Sequence, residues 1–190
     1  IVPISRGWTK LQAMQALVTG RAITPACFYR VALRDAILQW QEKEPFDAVL
    51  TFCTGMVEYT RMFALGGLAL SVAGNAPPPR QVLDLVDVDS LKWKSYAKHS
   101  YSPMRLVYGA EARRLAKVEA GKHDRFDAIT VVSEAERDAY KKHIADRDDI
   151  HAIHNGVDLD YFHPLPDATE SKKIVFVGVL NYKPNTDGIA

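Results

Sequence analysis

From Ala128 to Val132 the chain reads Ala-Ile-Thr-Val-Val, and Ser133-Glu134-Ala135-Glu136 then opens a polar, helix-forming run to His143. An apolar, β-branched strand with no alternation predicts burial on both faces, as in a parallel sheet covered by helices. Ser133 with Glu136 three residues later is a capping box, in which each side chain satisfies an orphan amide of the helix start. A second strand over Ile150–Ile153 ends in His154-Asn155-Gly156-Val157-Asp158, where Asn-Gly predicts a turn through positive φ. Strand, capped helix, strand and polar turn form the repeating unit of an open parallel sheet. Such sheets place ligands beyond the carboxyl ends of their strands. Ser133 and Asn155 both fall there.

The pattern extends along the chain. Trp8–Val18 reads as a helix ending near Gly20, and Ala26–Lys43 as a second helix with apolar Val31, Ile37, Leu38 and Trp40. The strand Phe46–Phe52 echoes Phe126–Val132, and each copy follows a long helix. Two helix-to-strand units predict a right-handed βαβ sheet rather than a solenoid. Thr54 is placed to cap a short helix through Tyr59. Met62–Val72 fits helix or strand, and Gly74–Pro79 is loop. Val82–Val86 is a strand, and Asp89 is placed as the N-cap of a helix over Ser90–Lys98. Ser102-Pro103 opens another helix, to about His123, with proline at its first position. His163–Ser171 reads as a linker, and Lys173–Val177 as a further strand ending at Gly178. The expected class is α/β, a mainly parallel sheet flanked by helices. Residues 1–162 form most of one domain, 163–171 the linker, and 172–190 the first strand and turn of the next.

Composition narrows the chemistry. The 190 residues carry a net charge of +1, which makes no electrostatic case for nucleic acid. Cys27 and Cys53 form neither a disulfide framework nor a metal-ligand spacing, so a reducing, cytoplasmic setting is the default. The longest apolar run, Ala64–Ala73, is interrupted by Gly66 and Gly67 and falls far short of the roughly 20 residues of a membrane span. The start at Ile1-Val2-Pro3 and the stop soon after a new strand read as a piece of a longer protein. Neither G-x-x-x-x-G-K-[ST] nor G-x-G-x-x-G is present, which weakens an NTPase or a dinucleotide oxidoreductase.

Asp87 and Asp89 follow the Val82–Val86 strand. Carboxylates there can accept charge-assisted hydrogen bonds from sugar hydroxyls. For Asp89 the plainer role is the helix cap. Glu119 shares a helical face with Tyr108, Ala112 and Leu115. It and Glu111 read first as structural partners of an arginine or an amide. Arg113, Arg114 and Lys117 read as a solvated face, with contact to a lipid phosphate or membrane surface as the alternative. His151 and His154 lack a third ligand, so no metal is expected. Trp8, Trp40 and Trp93 read as core or helix-packing residues.

Three segments together, Phe126–Glu136, His154–Pro164 and Lys173–Leu180, resemble the retaining glycosyltransferases of the GT-B architecture. Leu83–Trp93 and Phe176–Asn185 look like the sugar transferases associated with exosortase (PEP-CTERM) and exopolysaccharide loci. The resemblance implies two Rossmann-like domains and sugar transfer, with retention, from a nucleotide diphosphate sugar to a saccharide or lipid-linked acceptor. It makes this chain mostly the acceptor domain, its first strands absent. The donor carboxylates would then lie in a C-terminal domain beyond Ala190, and the fragment alone would be inactive. On this reading Asp87 is the catalytic candidate, and Asp89, Ser133, Asn155, Gly156, Asp158, Gly178 and Lys183 bind substrate. Gly178-Val179 departs from the family's Gly-Arg, and Asp87 stands where many relatives have histidine. No resident cofactor is implied, since the nucleotide diphosphate sugar is a substrate. Partners would be donor, acceptor and the second domain, with peripheral inner-membrane contact and a homodimer through an open sheet edge as further options. The rivals are an epimerase of the same fold, a non-catalytic sugar-binding domain, and a metal-dependent GT-A enzyme reading Asp87-Val88-Asp89 as D-x-D.

Overall fold

A computed structural model describes residues 6–63, 78–121, 126–163, 172, 174–180 and 183–189. The chain divides into two compact units, Ile1–Asn155 and Gly156–Ala190. In the first unit α1 (Arg6–Thr19), α2 (Ile23–Phe28) and α3 (Val31–Lys43) precede β1 (Ala48–Phe52). A 3₁₀ helix over Thr54–Met62 follows, then β2 (Arg80–Val86), α4 (Asp89–Lys98), α5 (Met104–Glu119), β3 (Ala128–Val131), α6 (Glu134–His143) and β4 (Ile150–Ala152). The strands form one sheet in the order β1-β2-β3-β4, every pair parallel. The α/β class and the parallel sheet are as the sequence predicts. Met62–Val72 falls almost wholly outside the described residues, as does the predicted linker.

One expectation about the sheet is corrected. On one face Leu83, Leu85, Ile129, Val131 and Ile150 are buried, packed with Val57, Phe126 and Tyr140. The opposite face is less covered: on the edge strand β1 Leu50 is 71% and Phe52 62% exposed, while Val82, Asp84, Ala128 and Thr130 are half-buried, and Thr130 donates to Asp84 at 3.0 Å. Burial therefore alternates along β2 and β3. Apolar β-branched composition does not reveal how many faces of a strand are covered.

The predicted helix over Ala26–Lys43 is two helices. Tyr29 and Arg30 are extended, and tertiary bonds hold the break. Arg30 N–H donates to the Tyr59 hydroxyl at 2.6 Å, which itself donates to Phe28 C=O at 3.0 Å. The Arg30 guanidinium donates to Cys27 C=O, Tyr29 C=O and Gln12 Oε1. These bonds satisfy the carbonyls that a helix end leaves without partners. α1 ends as predicted at Gly20, whose φ of +74° suits glycine. Arg114 donates to the carbonyls of Leu17 and Arg21 at 3.1 Å, so it belongs to this helix end and not to a solvated face. Trp8 and Trp40 are 56% and 57% exposed, so of the two expected roles, core or helix packing, neither tryptophan fills the core. Trp93 does pack, between Tyr96 and Tyr108.

In the second unit residues 174–177 form no strand, and Ile174 and Val177 are 98% and 90% exposed. β-propensity alone makes no ladder without a partner strand. A short helix, α7, covers Lys183–Ile189.

Candidate functional site

Two loops at the carboxyl edge of the sheet carry backbone that their residues adopt at a cost. Cys53, just after β1, has φ 61° and ψ 159°, a region that belongs almost only to glycine. Its N–H donates to Asp84 C=O at 2.7 Å, so the distorted residue is pinned to the neighbouring strand. Val86, the last residue of β2, has φ 65°, an outlier for a β-branched side chain. The β2–β3 register shifts between Asp84 and Val86, and Val132 N–H donates to Val86 C=O at 3.0 Å. Distortions of this kind cost about 1–3 kcal/mol each and cluster at functional sites. Here they re-aim the chain where β1 and β2 end.

Asp87 comes next. Its N–H donates to Leu85 C=O at 2.8 Å, closing a tight turn that leaves the side chain exposed. Among the described residues no hydrogen bond or ion pair holds its carboxylate. An ionised carboxylate is an acceptor with several lone pairs, suited to hydroxyl or amine donors.

Asp89 is not the helix cap that the sequence suggests. Val88 occupies the N-cap position of α4, Asp89 is the first helical residue, and its side chain makes no cap bond. One carboxylate oxygen accepts from Thr54 Oγ1 and the other from Lys92 Nζ. Thr54, expected to cap its own helix, makes no such bond, and Cys53 is the N-cap of that helix. The Thr54–Asp89–Lys92 chain ties the loop after β1 to the start of α4. Its only sequence signal is the i,i+3 spacing of Asp89 and Lys92.

The capping box is half formed. Ser133 is the N-cap of α6, and its Oγ accepts the Glu136 N–H at 3.1 Å. Glu136 does not reach back to Ser133. Its Oε2 accepts the N–H of Val88, the N-cap of α4, at 3.0 Å. The hydroxyl proton of Ser133 stays available to donate. α6 itself follows from its residues, with Glu134 and Glu136 in the first turn and Lys141, Lys142 and His143 in the last, matching the helix dipole.

Beneath α4 lies Glu119, which is fully buried. Its Oε1 accepts the Ser90 N–H at 2.9 Å, while Oε2 and the buried Ser90 Oγ have no hydrogen-bond partner among the described residues. Burial pushes the Glu119 carboxyl up to about 7, against the downward pull of the Ser90 amide; Asp89 adds to the rise and Lys92 opposes it. Glu111 is buried too, and accepts the N–H groups of Ile23 and Thr24 at 2.7 and 2.8 Å, capping α2 from a distance. Both glutamates thus serve amides, as the sequence suggests.

The structure therefore links the loops bearing Asp87, Asp89 and Ser133 at one edge of the sheet. Asn155 lies just past the end of β4 and is exposed. The predicted positive φ at Asn155-Gly156 is absent. The turn comes later, where Asp158 Oδ1 accepts the N–H groups of Asp160 and Tyr161 at 3.0 and 3.1 Å. Gly156, Asp158, Gly178 and Lys183 belong to the second unit. A Cβ on Gly178 would lie 2.8 Å from both Asn185 Nδ2 and the Phe176 ring, so a larger residue forces both aside. Two grooves, of about 370 Å³ beside α1 and about 340 Å³ beside β1, are lined by none of the candidate residues. Among the described residues no group of His, Cys, Asp and Glu could hold a metal, and no helix is long and apolar enough to cross a membrane.

No curated protein and no solved structure matches the chain. Residues 84–161 match the family model described as Glycosyltransferase Family 4. The matched stretch begins inside β2 and carries Asp87, Asp89, Ser133, Asn155, Gly156 and Asp158. Together with the parallel α/β sheet, that match supports a GT-B glycosyltransferase-like chain, similar over this stretch to the enzymes of that family.

Proposed function

We propose that the chain is the acceptor-side part of a retaining GT-B hexosyltransferase. It moves a sugar from a nucleotide diphosphate donor to a saccharide or lipid-linked acceptor in polysaccharide assembly. One coincidence carries the reading: the segment matching Glycosyltransferase Family 4 contains Asp87, exposed at the strand end that Val86 distorts. Asp87 accepts hydrogen bonds from sugar hydroxyls, and charge-assisted bonds of this kind orient a substrate as well as bind it. Asp89, engaged by Thr54 and Lys92, holds the loop that presents Asp87. Ser133 supplies a hydroxyl donor beside it, and Asn155 adds an amide at the same edge. Gly156, Asp158, Gly178 and Lys183 are assigned to the donor, with Lys183 as the candidate partner of the diphosphate. Most of the electrostatic stabilisation of the departing diphosphate belongs to a donor-binding domain, so these 190 residues alone do not turn over.

The test is carried out on the full-length protein with a panel of nucleotide diphosphate sugars, reading nucleotide release and the anomer of the product. Retention is expected, and Asp87→Asn should lower kcat at least tenfold with an unchanged unfolding midpoint. Inversion at the anomeric carbon sinks the mechanism. Wild-type turnover in Asp87→Asn removes that residue from the site.

A further inference from the structure

We propose that the tip of the α4–α5 hairpin docks on an anionic lipid surface. The proposal goes beyond sugar transfer and holds whether or not that reading does. Residues 90–110 contain no aspartate or glutamate but carry Lys92, Lys94, Lys98 and Arg105. The whole chain has a net charge of only +1, so this excess is local. Lys92 is committed to Asp89, whereas Lys94, Lys98 and Arg105 are exposed.

Between these cations in sequence the tip bears apolar side chains that stay exposed among the described residues. Tyr101 is 92%, Leu106 71% and Met104 43% exposed. The hairpin that presents them is braced: the rings of Trp93, Tyr96 and Tyr108 contact one another in edge-on and tilted arrangements at centroid distances of 5.3 to 6.2 Å. The contact between Ser90 and Glu119 closes its opposite end. An exposed cluster of aliphatic and aromatic groups rimmed by one sign of charge is complementary to an interface with both an apolar and an anionic layer. A lipid headgroup region has both, and tyrosine favours that depth. Nucleic acid would answer the charge but offers little to Met104 and Leu106.

The experiment is sedimentation of the 190-residue chain with phosphatidylglycerol–phosphatidylcholine vesicles and with phosphatidylcholine vesicles. Two double variants are compared, Tyr101→Ser with Leu106→Ser and Lys94→Glu with Lys98→Glu. All four positions are exposed, and circular dichroism checks that each variant folds. The wild type should partition onto the anionic vesicles, and each double variant should lose about tenfold or more in partitioning. Raising salt from about 0.1 M to about 1 M shortens the screening length from about 10 Å to about 3 Å and should release the protein. Equal partitioning onto both vesicle types overturns the proposal. So does wild-type partitioning by either variant, or retention on a single-stranded oligonucleotide with none on vesicles.

Discussion

Glu136 Oε2 accepts the backbone N–H of Val88 at 3.0 Å, so the first turn of α6 anchors the start of α4. One carboxylate thereby sets the distance between the loop bearing Asp87 and the loop bearing Ser133. Hydrogen bonds to a charged group contribute about 1.5–3 kcal/mol. Glu136→Ala should therefore destabilise by about 2 kcal/mol, and Ser133→Ala by about 1 kcal/mol through the lost cap. Urea unfolding distinguishes them. Equal losses would mean that the Val88 bond adds nothing beyond the helix start.

Glu119 makes stability depend on pH in a defined window. Its native carboxyl holds a proton up to about 7, against an ordinary value of 4.5. The native state thus binds more protons than the unfolded chain between these values. Its contribution is whole below about pH 4.5 and is lost as pH rises through about 7. At 1.36 kcal/mol per pH unit the loss is on the order of 3 kcal/mol. Asp127 and Asp149 act in the opposite sense and lower down. The Gln81 amide and Arg80 hold Asp127 below the usual range, and Arg147 does the same for Asp149. Their contribution disappears only as pH falls through their lowered native values. Glu119→Gln should flatten the decline between pH 5 and 8 and leave the acid limb intact. An unchanged slope in denaturant melts would show that Glu119 does not titrate there.

Cys53 occupies a glycine conformation at φ 61° and ψ 159°. Cys53→Gly should relieve strain of about 1 kcal/mol or more and raise the thermal midpoint. The bond from its N–H to Asp84 C=O is unaffected by the change. A lower midpoint would mean that the cysteine side chain contributes more through packing than its backbone costs.

Glu111 holds the N–H groups of Ile23 and Thr24 from the middle of α5. Glu111→Ala leaves two amides at the start of α2 without partners, at about 1–3 kcal/mol each. The loss should appear as early hydrogen exchange in α2 while the β2 and β3 amides stay protected. Uniform exchange throughout would mean that α2 unfolds only with the sheet.

Short-range features of this chain were legible. The β2, β3 and β4 strands, the end of α1 at Gly20 and the Ser133 cap all depend on residues within a few positions of one another. Each is decided by side-chain size, propensity or one local hydrogen bond. The clustering of Asp87 and Ser133 at the carboxyl edge also followed, because parallel strands place their ends together.

Local rules failed where a distant group supplied the missing partner. The helix breaks at Tyr29 and Arg30 because Tyr59 and Gln12 reach that point in space. Asp89 leaves its cap for Thr54 and Lys92, and Glu136 leaves Ser133 for Val88. Spacing marks a donor and an acceptor but not which of several partners lies nearer once the chain has folded. The residues alone therefore specified β2, β3 and β4, the end of α1 and the Ser133 cap. Packing chose the amide partners of Glu111 and Glu119 and the more deeply buried face of the sheet, since both depend on what lies within hydrogen-bond or contact distance.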